Sequence, residues 1–314
     1  MERGTEIRVG YLPTFYHTAV LLQDRGSELE FGRAEWEFFA TGPAMMKAFA
    51  EGRLDLGYIG LPPAMIGMQR GVPIRCIAGG HMEGTVLIGQ SGYRSYDEMG
   101  GDLIAVLDQF RGQAIGTPAR GSIHDVIVRF LLRKAGLEAH VEVRNFALAD
   151  LITEELERGS LAGGAGTPAL AVAGERFAGS RMLVPPRPLW PNNPSYGIVA
   201  TAEVAESRPD ALEAFLRLHE DATSMIRARP REAAARTADI VGVVGEDFVL
   251  ATYRVSPRYC AALPHEFIDS TEAFIPVMRD LEYLPQPMDV QDVFDPRFIE
   301  EVHPGPHHYD EGVV

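Results

Sequence analysis

A segment running from Gly42 to Pro62 returns, with one residue less in its spacing, between Ala149 and Pro168. The first copy reads Gly42-Pro-Ala-Met-Met-Lys-Ala-Phe-Ala-Glu-Gly52, then Leu54 and Leu56, then Gly60-Leu61-Pro62. The second reads Ala149-Asp-Leu-Ile-Thr-Glu-Glu-Leu-Glu-Arg-Gly159, then Leu161, Gly164, Gly166 and Pro168. Each copy predicts an amphipathic helix stopped by a glycine, a short strand, and a Gly-x-Pro turn that opens the next helix. Such a unit feeds a helix into a parallel strand. Its turn leaves backbone N–H groups at the strand's carboxyl end, where open α/β sheets bind ligands. Two copies predict two α/β lobes facing one cleft.

The rest of the chain repeats this alternation. Strands are expected over 7–12, 36–40, 54–59 and 73–78, with a helix over 14–23, which makes a βαβαβαβ run and a parallel sheet. An apolar stretch at 86–89 predicts a crossing into a second lobe. There, strands over 113–116, 141–146, 162–166 and 181–184 alternate with helices over 122–135, 149–158 and 168–173, Ser122 being placed to cap the first of these. The proline-rich 185–194 reads as a loop and 196–201 as a second crossing strand. Helices are expected over 211–227, 231–240, 271–281 and 290–294, and the tail 303–312 is expected to be mobile. Lobe I then comprises 1–89 and 198–314, and lobe II 90–197.

At 314 residues the chain is long enough for two lobes with full cores, and its 46% hydrophobic and 23% charged residues are those of a globular protein. The net charge of −15 is scattered over helix faces, which leaves no basic stripe for nucleic acid. Cys76 and Cys260 lie far apart and predict buried free thiols. No apolar run has the ~18 residues of a membrane helix. The stretch Met1 to Glu6 carries no apolar export segment, so the chain is either cytoplasmic or has lost its signal.

Five strand-end turns place small residues or prolines where amides are exposed and a helix begins: 12–17, 41–43, 60–62, 117–122 and 166–168. They suit a small polar or anionic ligand. Arg120, beside one of these turns, could clamp a carboxylate, sulfonate or phosphate, or be solvated. His81 and Glu83 could reach the cleft as ligand donors or as an acid and base, or be structural, and His17 beside Tyr16 has the same alternatives. Trp190, Asn192, Asn193 and Tyr196 could roof a pocket or form a rigid hinge. His303, His307, His308 and Asp310 lie in a Gly/Pro-rich tail without zinc-type spacing, and no metal or cofactor is expected. Nucleophile elbows, P-loops and dinucleotide fingerprints are missing from the sequence.

Taken in order, Arg8-Val-Gly-Tyr-Leu-Pro-Thr-Phe15, the helix and strand from Met45 to Gly60, and Gly116-Thr-Pro-Ala-Arg-Gly-Ser122 through Phe130-Leu-Leu-Arg-Lys-Ala-Gly-Leu137 resemble the solute-binding components of ABC importers. The group they resemble binds nitrate, sulfonates, taurine and thiamine-pyrimidine precursors. The resemblance implies a type II periplasmic-binding-protein fold, two α/β lobes joined by two crossing strands around a ligand cleft. By position it implies ligand contacts from Thr14, Tyr16, His17, Thr41, Gly42, Gly60, Leu61 and His81. The second lobe would add Thr117, Arg120, Ser122 and Thr167, with Asn193 from the second crossing. Many relatives carry an acidic residue where Thr167 precedes Pro168.

The function this implies is capture of a small polar, anionic or heteroaromatic metabolite by a monomer that hands it to an ABC permease, in the periplasm or outside the cell if a signal has been removed. Enzymes on the same scaffold are the alternative. A thiamine-pyrimidine synthase is disfavoured because its cysteine-rich motif is missing. A lyase resembling the menaquinone-pathway chorismate dehydratase would use His81 or Glu83. A cytoplasmic sensor would need a regulatory domain.

Overall fold

The computed structural model describes residues 6–23 and 33–313; Met1 to Thr5, on which the leader reading rests, lie outside them. The chain opens with β1 (Glu6–Tyr11), α1 (Ala19–Gln23), β2 (Arg33–Phe38), α2 (Gly42–Ala50), β3 (Leu56–Ile59), α3 (Leu61–Gln69) and β4 (Ile74–Met82). It crosses through residues 83–85 into β5 (Val86–Gln90), α4 (Leu103–Asp108), β6 (Ala114–Thr117), α5 (Ile123–Lys134) and β7 (Glu142–Asn145). The second lobe continues with α6 (Asp150–Glu157), β8 (Gly163–Gly166), α7 (Pro168–Phe177) and β9 (Ser180–Val184). Residues 185–193, holding the short α8 (Pro186–Leu189), return to β10 (Pro194–Thr201). Six α-helices follow among the described residues: α9 (Ala202–Ser207), α10 (Pro209–Ala228), α11 (Pro230–Val241), α12 (Glu246–Val255), α13 (His265–Asp280) and α14 (Arg297–Val302), with only a 3-10 turn (Val290–Asp292) where a helix over 290–294 is expected.

The two sheets have strand orders β2-β1-β3-β10-β4 and β7-β6-β8-β5-β9, which correspond position by position. The repeat supplies the central strand of each, β3 and β8. The helices before these strands end beside Gly52 and Gly159, at φ +67° and +74°. Only glycine takes this left-handed conformation without strain, so the two stop signals act alike.

Neither sheet is wholly parallel. β1 pairs in parallel with β2 and β3, but β10 enters antiparallel between β3 and β4. β5 does the same between β8 and β9. A strand arriving from the other lobe runs opposite to the strands made at home, which is why the expected parallel sheet is mixed. Sheet membership puts the passages between lobes at 83–85 and 185–193, ahead of the expected boundaries after 89 and 197.

One apolar cluster runs from Phe49 and Met65 through Phe274 of α13 to Phe110 and Ile127, so the lobes share a core on one side. Cys76 and Cys260 are buried and free, as expected. The tail is packed: Tyr309 is fully buried and its hydroxyl donates to the Ala262 carbonyl at 3.0 Å. Arg258 adds a bond to Asp310 at 2.8 Å. Among the described residues, no helix is long and apolar enough to cross a membrane.

Candidate functional site

Helices α2, α3, α5 and α7 are among those that begin at a cleft of about 950 Å³ between the lobes. From the first lobe, α2 contributes Thr41, Gly42 and Pro43, and α3 contributes Gly60 and Pro63. Facing them, α5 contributes Ser122, Ile123 and His124, and α7 contributes Thr167, Ala169 and Leu170. The turn after β1 adds Thr14, Tyr16 and His17. Gly60 faces the start of β10, where a Cβ would lie in contact with the Ser195 carbonyl oxygen at 3.4 Å.

The first-turn N–H groups of these helices have no intrahelical acceptors. Prolines at 43, 62, 63 and 168 remove several of them outright. Thr41 Oγ1 takes the Ala44 amide at 3.3 Å, Ser122 Oγ that of Asp125 at 3.3 Å, and the Thr167 carbonyl that of Leu170 at 2.9 Å. Among the described residues, the amides of Gly42, Ile123, His124 and Ala169 at the cleft find no acceptor. The four dipoles still place partial positive charge at the cleft.

Two histidines line the cleft from opposite lobes, each tied to a threonine. His17 Nδ1 lies 3.0 Å from Thr14 Oγ1, and His124 Nδ1 lies 2.9 Å from Thr85 Oγ1. Burial holds both imidazoles neutral: His17 is pushed well below its ordinary pKa, further lowered by His81 and His219, and His124 falls to about 4. Nε2 of His17 is buried without a hydrogen-bond partner among the described residues. In the tautomer in which the Thr85 hydroxyl donates to Nδ1, the His124 proton sits on Nε2.

Charge at the cleft is confined to its outer part. Asp150, Glu154 and Glu157 of α6 line it, as does Arg176, the one cationic side chain among the described lining residues. Arg176 is already engaged, with Asp247 Oδ2 at 2.7 Å and over the Phe248 ring at 5.2 Å. Apolar side chains surround these groups. Phe38, Leu148, Phe177 and Val243 all line the cleft although they are 52%, 37%, 62% and 87% exposed.

Of the residues expected at the site, Thr14, Tyr16, His17, Thr41, Gly42, Gly60, Ser122 and Thr167 line this cleft. Five do not. Arg120 turns outward, its guanidinium 5.7 Å from the centre of the Tyr283 ring. Leu61 is a fully buried core residue. Thr117 is buried and accepts from Asn145 Nδ2 at 2.8 Å. His81 is buried among Tyr16, Tyr196 and Tyr259, with Nε2 bonded to the Ser256 carbonyl at 2.7 Å, and burial lowers its pKa to about 3. Asn193 is buried, donating to the Trp190 carbonyl at 3.2 Å.

Glu83 is likewise structural, so the candidate acid–base pair is not assembled at the cleft. Its carboxylate accepts from the Asn192 amide at 2.9 Å and from Arg258 at 2.6 Å, while its own N–H donates to the Asn193 carbonyl at 2.7 Å. These bonds staple the two passages between lobes to each other. Trp190 anchors the second passage, stacking on Phe274 at 4.0 Å and donating Nε1–H to Ser270 Oγ at 3.1 Å. The hinge alternative for the Trp190–Tyr196 cluster therefore describes it.

Sequence reasoning missed His124, Thr85, Ser195, Phe177 and Phe248. His124 had a signal, since it stands two residues beyond the Ser122 cap, in the turn that opens on the cleft. Phe248 had none, being carried by α12, which no motif marks.

A sequence profile of the NMT1-like family matches residues 2–242. This chain belongs to that family. Curated relatives of the NMT1-like chain include proteins of Brucella abortus, Brucella suis and Brucella melitensis named as candidate binding proteins. Each is 24% identical over 244 residues, covering 76% of this chain and 72% of theirs. Solved structures share its fold. The alkanesulfonate-binding protein SsuA of Xanthomonas axonopodis, bound to MOPS, has a TM-score of 0.76 at 16% identity, over 94% of this chain and 100% of that one. The ligand-binding component of an ABC-type import system from Staphylococcus aureus, with zinc bound, reaches 0.76 at 17%, over 96% and 100%. The periplasmic nitrate-binding protein NrtA of Synechocystis reaches 0.75 at 15%, over 96% and 88%. The NMT1-like chain thus has the two-lobed fold of periplasmic binding proteins.

Proposed function

We propose that this protein is the solute-capture component of an ABC-type importer, working on the outer side of the cytoplasmic membrane and delivering its ligand to a permease. Its fold neighbours are import and periplasmic binding proteins, and its curated relatives are named as binding proteins. The ligand we assign is a small planar heteroaromatic molecule, neutral or singly negative and rich in hydrogen-bond acceptors.

One observation carries the ligand class: the inner cleft offers donors without a free cation. Helix N-termini, residual amides and the His124 Nε2–H all seek acceptors, whereas Arg120 faces away and Arg176 is neutralised by Asp247. A dianion would leave water for this site without a full countercharge, at a cost of several kcal/mol per unpaired ion. Carbonyl oxygens and ring nitrogens meet the donors at much smaller desolvation cost, and the partly exposed Phe15 at the cleft wall offers a ring to a flat ligand.

Thermal-shift and calorimetric titration against pyrimidines, other heteroaromatics, alkanesulfonates, nitrate and dicarboxylates tests the reading. A heteroaromatic compound is expected to raise Tm, and to bind at least tenfold more weakly to His124→Ala, a loss of about 1.4 kcal/mol. Stabilisation by dicarboxylates alone would overturn the ligand class. Chemical turnover of a bound compound, or no stabilisation by any class, would overturn capture itself.

A further inference from the structure

We propose that Cys260, His303 and Glu220 form a binding site for a zinc-class divalent cation, separate from the cleft and placed where the C-terminal tail meets α10. None of the three lines the cleft. They come from three parts of the chain: Glu220 from α10, Cys260 from the segment after α12, and His303 from the end of α14. One ligand atom from each lies within 4.8 Å of the other two.

The three side chains converge, and an ion would replace the contacts they now make. Cys260 Sγ is 3.9 Å from His303 Nε2, which also lies 3.1 Å from the Pro306 carbonyl oxygen, and Glu220 Oε1 is 3.4 Å from the other ring nitrogen, Nδ1. On a tetrahedral zinc ion, with Zn–S near 2.3 Å and Zn–N near 2.0–2.1 Å, sulfur and nitrogen stand about 3.5 Å apart. A small inward shift of the imidazole, which releases the Pro306 carbonyl, brings Nε2 and Sγ to that separation. Glu220, whose Oε2 accepts from Thr223 Oγ1 at 3.4 Å, swings from the Nδ1 side of the ring to supply the third ligand.

The sulfur's surroundings fit a metal thiolate. Cys260 Sγ receives the His308 backbone N–H at 3.4 Å and faces the His303 ring. Cys76 is the opposite case, donating its S–H to the Ala78 carbonyl at 3.3 Å with its thiol pushed up to about 12 by burial. Charge also balances. The Cys260 thiolate and the Glu220 carboxylate neutralise a divalent ion, and neighbouring Arg227, 3.7 Å from Glu220, has Glu311 at 3.6 Å as its own partner. The fourth zinc position falls to water, and the partly exposed Glu220 gives the ion a way in.

Titration of the full chain with cobalt(II) tests the site, because thiolate-bound cobalt gives an intense near-ultraviolet charge-transfer band that oxygen and nitrogen ligands do not. We expect the band with wild type and its displacement by zinc. Cys260→Ser and His303→Ala should abolish it, Cys76→Ser should retain it, and Glu220→Gln should weaken cobalt binding by about tenfold or more. A wild-type protein without the band, or a band surviving in Cys260→Ser, overturns the proposal. Should the Cys260 variant fail to fold, alkylation of wild type with and without zinc decides: zinc must protect Cys260, and equal labelling overturns the site.

Discussion

Gly80 shows how one residue decides which way a neighbouring side chain faces. A Cβ at this position would fall inside the Tyr196 ring, and one at Gly79 would meet Tyr309 and the Ala262 carbonyl. The sequence places the end of a buried strand at residue 78, which is why His81 and Glu83, following it, are read as reaching a cleft. In the fold the glycines instead let β4 continue to Met82 beneath two tyrosines, and His81 is carried into the core. Gly80→Ala must displace Tyr196, which packs on His17 at 3.9 Å and accepts the Thr18 amide at 3.2 Å. We expect a loss of about 3 kcal/mol, at the upper end for overpacking, read from urea denaturation. A loss below about 1 kcal/mol would show that the ring can move aside.

The buried histidines make stability acid-sensitive at the same scale. Burial depresses His124 and His219 to about 4 and His81 to about 3. In the unfolded chain each titrates near 6.5. Between these values the unfolded state binds more protons, so stability is complete above about pH 6.5 and falls as pH drops toward 4. Each such histidine contributes up to about 1.4 kcal/mol per pH unit in that window. His219, bonded to Thr18 Oγ1 and to the Gly79 carbonyl, both at 2.8 Å, is the cleanest to test. His219→Gln should flatten the dependence of the urea midpoint on pH between 6.5 and 4.5. An unchanged slope would mean that carboxylates account for the acid loss.

Among the elements, those that follow from helix periodicity and turn chemistry were legible. Ser122 caps α5 as its position predicts, and Arg133 and Lys134 close its last turn. Removing the cap oxygen in Ser122→Ala should cost about 1 kcal/mol. Because Ile123 and His124 form the first turn, ligand affinity should fall with it, and a variant that loses stability without losing affinity would separate the cap from the site. The passages between lobes were illegible because their key bonds join distant residues. Arg258, seen in no motif, holds Glu83 and Asn192 together, with 2.9 Å to Asn192 Oδ1. Arg258→Ala strands the Glu83 carboxylate, which is 5% exposed, and should cost about 3 kcal/mol. Recovery in a Glu83→Gln, Arg258→Ala double variant, measured by the same denaturation, would identify the buried charge as the cause.

For the whole molecule, the duplicated lobe was readable in the repeat, while the contacts that set its opening were not. On one side the lobes share a core through α13, and Tyr283 donates its hydroxyl to Asp125 of α5. Elsewhere they meet where α7 touches α12, through the Arg176–Asp247 pair and the stacked rings of Phe177 and Phe248, 6.4 Å apart. α12 carries no motif, and its partner is fixed only by tertiary packing. The two contacts differ in strength: the first is buried, whereas the Arg176 and Asp247 side chains are 35% and 76% exposed, so solvent screens their attraction. The weak contact is therefore the one we expect to open when ligand enters or leaves. Arg176→Ala should leave the stability of the ligand-free protein within about 1 kcal/mol, because the pair is solvated. It should raise the ligand dissociation rate several-fold in stopped-flow displacement, since the closed state loses a contact that the open state lacks. An unchanged dissociation rate would place the opening motion elsewhere, and a large loss of stability would mean that α12 is part of the core and not a clasp.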